Sequence, residues 1–172
     1  MISIIAGTNR SKSNTLKVAR SCHEILDGLH CESQVLSLEA LPHDFFFAEL
    51  YGEHSESFQR LVEKYIHGVD RIIFVIPEYH GSFPGVLKAF MDALNSEDVE
   101  NKRAFLVGVA SGHAGGLRPL GHFTEVLHHL KMEVYSGKPK LSGIDKLVDN
   151  DRVIDKPSLE KLKSSLKGYL LF

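Results

Sequence analysis

The chain has 172 residues, 43% hydrophobic and 24% charged, with a net charge of −2. That length suits one domain with a full core, the composition is that of an ordinary folded protein, and the charge offers no general attraction to nucleic acid or an anionic membrane. Two cysteines, Cys22 and Cys31, have neither metal-ligand spacing nor the makings of a disulfide framework, and no run approaches the ~20 apolar residues of a membrane span. A strand rather than a signal peptide at the N-terminus leads us to expect a cytoplasmic protein.

Ile2 to Ala6 is apolar at every position but Ser3, as suits a central parallel strand covered on both faces. It stops at Gly7, and Thr8 to Thr15 then brings six hydroxyl or amide side chains and two cations. A helix follows from about Asn14 to Gly28, with Leu16, Ala19, Cys22, Leu26 and Leu29 at helical spacing. Strand, polar turn and helix N-terminus together form a site for a dianion, because free N–H groups and the helix dipole both favour negative charge. Two standard phosphate loops are excluded. Lys12, Ser13 and Asn14 stand where a P-loop needs Gly, Lys and Ser or Thr, and Asn9 and Lys12 replace two glycines of the dinucleotide fingerprint. Side chains must therefore reach out to the ligand, which favours a single terminal phosphate such as that of FMN. The same residues also suit a purely structural capped turn.

Glu32 to Leu38 alternates polar and apolar, as a strand nearer an edge does. Leu41 to Gly52 reads as an irregular loop broken by Pro42. Its Phe45, Phe46 and Phe47 either cover a cofactor, pack on another subunit, or plug the domain's own core with two of the three rings. Ser55 caps a helix reaching His67, with Phe58, Leu61, Val62, Tyr65 and Ile66 on one side. Arg71 to Ile76 is the strongest β stretch and ends at Pro77. Pro84, placed in a first turn, opens a helix through Asn95. Arg103 to Ala110 is a fourth strand, Leu117 to Lys131 a helix, and a fifth strand begins near Met132. Leu159, Leu162, Leu166 and Leu170 mark a closing helix.

These alternations predict a single α/β domain spanning residues 1–172: a three-layer sandwich on a five-stranded parallel sheet in the order 2-1-3-4-5. Ligands in such a sheet sit at the carboxyl ends of strands one and three, and the loops after strands one, three and four share that rim. In the second of these loops, Pro77 to Gly85 is a turn stiffened by two prolines and two glycines, able to frame a planar heterocycle with backbone groups. Tyr79 there flanks a ring or simply packs under the loop. His80 hydrogen-bonds a ring or is an ordinary exposed histidine. The third loop, Ser111 to Gly116, has three glycines in six residues, which lets backbone lie flat against a ligand.

Gly-Thr-Asn-Arg-x-x-Ser-Asn-Thr at 7–15 resembles a G-S-x-R-x-x-S-x-N phosphate loop. Pro-Glu-Tyr-His-Gly-Ser-Phe-Pro-Gly-Val-Leu-Lys at 77–88 resembles P-E-Y-N-x-S-x-P-G-x-L-K, and Ser-Gly-x-x-Gly-Gly at 111–116 is similar to a glycine-rich third loop. Together they resemble the NADPH-dependent FMN reductase family, a flavodoxin-like group that includes azo-, quinone- and chromate-reducing enzymes. The resemblance covers about residues 1 to 135. It implies that Thr8, Arg10, Ser13, Asn14 and Thr15 hold the FMN phosphate. Pro77, Glu78, Tyr79, His80, Gly81 and Ser82 would hold the ring, and Ser111, Gly112, Gly115 and Gly116 would close the pocket. Thr8, Thr15 and His80 stand where the family has Ser, Asn and Asn, and the aromatic often found after the helix's Asp is missing at Ala93.

The implied chemistry is hydride transfer from NADPH or NADH to FMN, then reduction of a small-molecule acceptor such as free flavin or a quinone. No side chain need act as acid or base, and His80 is the candidate for a group titrating near neutral pH. The resemblance also implies a homodimer or homotetramer, while the net charge leads us to expect no nucleic-acid or membrane partner. A non-catalytic FMN electron carrier or redox sensor is the competing class; carriers of this fold tend to be strongly acidic, and a net charge of −2 argues against one. A zinc hydrolase fits worse, since the adjacent His128 and His129 point ~100° apart on a helix and lack H-E-x-x-H spacing.

Overall fold

The computed structural model describes residues 1–172. Four parallel strands form the body of the sheet: β1 (Ile2–Ala6), β2 (Ser33–Ser37), β3 (Arg71–Pro77) and β4 (Arg103–Ala110). Beyond β4, the fifth position is shared by two short segments, β5 (Glu133–Val134) and β6 (Lys140–Ser142), each pairing with β4 in parallel. The order is β2-β1-β3-β4-β5, as expected, with the fifth strand split into two pieces. Tyr135 to Pro139 intervenes, and Pro139 has no N–H to give a ladder; its carbonyl instead accepts from the Gly108 N–H at 2.9 Å.

Strand residues alternate between two cores because successive side chains point to opposite faces. Ile72, Phe74 and Ile76 pack on one side with α3 (Glu56–Val62), α4 (Gly85–Asp92) and α6 (Leu117–His129). Ile73 and Val75 pack on the other with α1 (Asn14–Asp27) and α7 (Lys156–Leu171). Two short helices, α2 (Phe45–Ala48) and α5 (Ser96–Val99), complete the set. The last turn of α3 widens into a π-helix over Glu63–His67.

Two expectations need correcting. Pro84 is the residue before α4 rather than part of its first turn: its ψ of 143° is extended, and the helix runs only from Gly85 to Asp92. Of the three phenylalanines, only Phe45 plugs the core, 2% exposed and 5.5 Å from the Phe58 ring, whereas Phe47 is 97% exposed. A short helix cannot turn three consecutive side chains to one side.

Candidate active site

Register fixes the site. Ala6 pairs with Val75, and Pro77 with Val109. The Gly7 N–H reaches the Val75 carbonyl at 2.9 Å and the Glu78 N–H the Val109 carbonyl at 3.1 Å. The ends of β1, β3 and β4 are thereby level, and the loops that leave them meet around one cleft of about 440 Å³.

At one end lies the turn before α1. Ser13 caps the helix, its Oγ accepting from the Leu16 N–H at 3.2 Å. Lys12 takes a φ of +52°, a conformation rare outside glycine, and the chain doubles sharply there. The N–H groups of Ser11, Lys12, Ser13, Asn14 and Thr15 find no acceptor within the chain, and Arg10 and Lys12 form no ion pair. Five consecutive free donors, two unpaired cations and the positive end of a 14-residue helix converge on this spot. The chemistry of that donor set fits a phosphate dianion.

The middle of the cleft is tied together by two contacts between distant loops. Thr8, fully buried, accepts from the Arg10 N–H at 3.2 Å and lies 3.0 Å from the Tyr79 hydroxyl. Asn14 Nδ2 donates to Asp145 Oδ1 at 2.8 Å. At the far end, Tyr79 and Ser82 exchange two backbone hydrogen bonds across His80 and Gly81, whose φ values are +51° and +80°. That is a type I′ turn, which asks for Asn-Gly or Gly-Gly; His80 takes the position where Asn is at ease. The N–H groups of His80 and Gly81 have no acceptor in the chain, and neither have those of Ser111 and Gly112.

Arg10, Ser13, Asn14, Thr15, Pro77, Glu78, Tyr79 and Ser111 thus line one cleft. Thr8 stands behind Tyr79, and His80, Gly81 and Ser82 form the turn that continues from it. The structure gives Ser82 a partner in His122, 3.0 Å from its hydroxyl. Gly115 and Gly116 are not brought to the cleft. Both are buried: a Cβ on Gly115 would come within 2.8 Å of Lys140 Cβ, and one on Gly116 within 3.2 Å of Gly108 Cα. They seat α6 on the sheet.

Sequence reasoning missed Ser11, Lys12, Val109, Ala110, Ile144 and Asp145. The last two follow β6, a three-residue strand whose only signal is Leu141 between polar neighbours. No three His, Cys, Asp or Glu side chains gather as a metal site would require. Burial pushes the Cys22 thiol up to about 12, which makes it a packing residue.

Residues 1–142 match the family model of the NADPH-dependent FMN reductases. This chain belongs to that family. It is an oxidoreductase whose cofactors are FMN and a reduced nicotinamide nucleotide. An NADPH azoreductase of Bacillus sp. (strain OY1-2) is 30% identical over 175 residues, covering 97% of this chain and 90% of that protein. The NAD(P)H-dependent FMN reductase LOT6 of Saccharomyces cerevisiae is 36% identical over 85 residues, 49% of this chain and 43% of that one. The fold is shared with FerB, a flavoenzyme NAD(P)H:(acceptor) oxidoreductase from Paracoccus denitrificans. The TM-score is 0.78 at 21% identity, over 98% of this chain and 94% of that one.

Proposed function

We propose that this FMN reductase family member binds FMN in the cleft between the three loops and passes hydride from NADPH or NADH to a small acceptor such as free flavin, a quinone or an azo compound. The run of free N–H groups from Ser11 to Thr15, beside the unpaired Arg10, carries the reading. These groups, with the Ser13 and Thr15 hydroxyls, take the phosphate. Glu78 and Asp145 offer carboxylate oxygens to hydroxyl groups along the middle of the ligand. The type I′ turn at Tyr79–Ser82 presents the His80 and Gly81 N–H groups to the polar edge of the ring, and Ser111 and Gly112 present theirs from the opposite loop. Bound there, FMN supplies the hydride chemistry. The protein positions it, directs donors to where negative charge develops, and needs no titrating side chain. Thr8 and Tyr79 act indirectly, since their mutual hydrogen bond pins the phosphate loop to the ring turn.

The name of the Bacillus relative and the open rim of the cleft both favour an acceptor that enters from solvent. Steady-state oxidation of NADPH and of NADH with FMN-loaded protein tests this, using free FMN, a benzoquinone and an azo dye as acceptors. Turnover with at least one acceptor is the expected result. A protein that binds FMN yet never oxidises either nucleotide would be an electron carrier, and the enzymatic reading would fall.

A further inference from the structure

The turn at the ring end of the cleft leans on α6 through three successive residues. Arg118 lies against Gly81, its Nη1 3.7 Å and its Cδ 4.0 Å from where a Cβ would stand. Ser82 meets His122 at 3.0 Å, and the Phe83 ring packs edge-on to Phe123 with centroids 5.1 Å apart. Residues 118 and 122 are one helical turn apart, so both belong to the face of α6 that meets this loop. Gly81 bears no side chain and holds a φ of +80°, and the Arg118 side chain takes the space beside it.

Nothing within the protein answers that charge. Arg118 is exposed, and no carboxylate comes within ion-pair distance of it. Asp92, which shares a groove with His122, is held by Lys88 at 2.6 Å. The first turn of α6 has no acidic residue, so the cation stands unopposed at the positive end of the helix dipole, where stability disfavours it. Two guanidiniums without an ion-pair partner therefore frame the cleft, Arg10 at the phosphate end and Arg118 at the ring end. The FMN phosphate answers Arg10, and the free N–H groups of His80, Gly81, Ser111 and Gly112 meet the polar edge of the ring. Arg118, on the side-chain side of Gly81 and open to solvent, is left for the molecule that lies on the ring. We infer, on the reading of this cleft as the FMN site, that Arg118 selects the electron acceptor by seating its anionic group. A planar fork suits a carboxylate or sulfonate carried by an aromatic acceptor.

Two matched azo dyes isolate the charge, since 4-(phenylazo)benzoate and 4-(phenylazo)benzamide differ only in carboxylate against amide. In Arg118→Gln, the ratio of kcat/KM for the benzoate to that for the benzamide should fall at least ~10-fold through KM, as loss of a charged hydrogen bond produces. Arg118→Lys should restore most of the ratio, and Arg118→Glu should turn the preference toward the amide. Naphthalene-2-sulfonate, which accepts no hydride, gives the same comparison without turnover. Its calorimetric affinity for the FMN-loaded protein should weaken at least ~10-fold in Arg118→Gln, while FMN affinity stays within ~2-fold. An equal loss for both dyes or for FMN would overturn this role, because Arg118 would then only steady the ring turn. A matching loss of NADP⁺ affinity would overturn it too, by giving the guanidinium to the donor. Turnover of both dyes at a ratio that none of the variants moves would sink the anion seat and leave the enzymatic reading intact. Sulfonate binding that depends on Arg118, in a protein that reduces neither dye, would sink the enzymatic reading and leave the anion seat standing.

Discussion

Arg10 is the residue on which the phosphate reading leans most. Its guanidinium makes no ion pair or hydrogen bond within the chain, although its own N–H is fixed by Thr8 at 3.2 Å. A planar, permanently charged fork beside five free N–H groups gains most when a dianion arrives. Arg10→Ala should therefore weaken FMN binding by about 1.5–3 kcal/mol, the range for hydrogen bonds to charged groups, with little effect on Tm of the unloaded protein. A fluorescence titration checks this, and an affinity equal to wild type would remove Arg10 from the site. The loss does not extend to Lys12 by analogy, since Lys12 also shapes the turn through its positive φ.

At the scale of elements, two junctions matter. Gly108 in β4 has no room for a side chain: a Cβ there would strike the Gly115 carbonyl and come to 3.0 Å from Leu120 Cδ1. Gly108→Ala should push α6 off the sheet and cost about 1–3 kcal/mol, a fall in Tm of roughly 3–10 °C. An unchanged melting curve would show that α6 is not seated as described. The second junction joins the π-turn at the end of α3 to α5. His67 holds Glu63 at 2.8 Å through Nδ1 and Asp98 at 2.7 Å through Nε2, and both nitrogens can donate only when the ring is protonated. The hydrogen bonds to Glu63 and then Asp98 raise its pKa above the ordinary 6.5. A raised folded-state value means that this stability is present in full below pH 6.5, as long as the carboxylates stay ionised, and is lost as pH rises through the elevated pKa. Wild type and His67→Ala should accordingly differ more in Tm at pH 5.5 than at pH 9. Because the ring is 42% exposed, the difference should be small; a gap that widened toward pH 9 would contradict the sign.

For the molecule as a whole, the sheet order was legible in the sequence because each central strand is a largely apolar run bounded by Gly, Pro or polar residues. Residues 133–145 were less legible: with an edge strand split around Pro139, neither half is long enough to show a period, and Asp145 went unnoticed as a result. The glycines of the third loop suggest backbone laid open to a ligand, yet Gly116 is pressed against Gly108 of β4 and Gly115 against Lys140 and Ser142 of β6, where a side chain has no room. Local composition announces a glycine but not what would collide with its missing side chain. The three-loop cleft was legible because parallel topology forces the ends of β1, β3 and β4 to one rim. The most direct test of that cleft compares FMN with riboflavin, which differ only in the phosphate, by fluorescence titration of the wild-type protein. One FMN per chain and at least ~100-fold weaker riboflavin binding are expected, since two or more charged hydrogen bonds are at stake. Equal affinity for the two flavins would contradict the account.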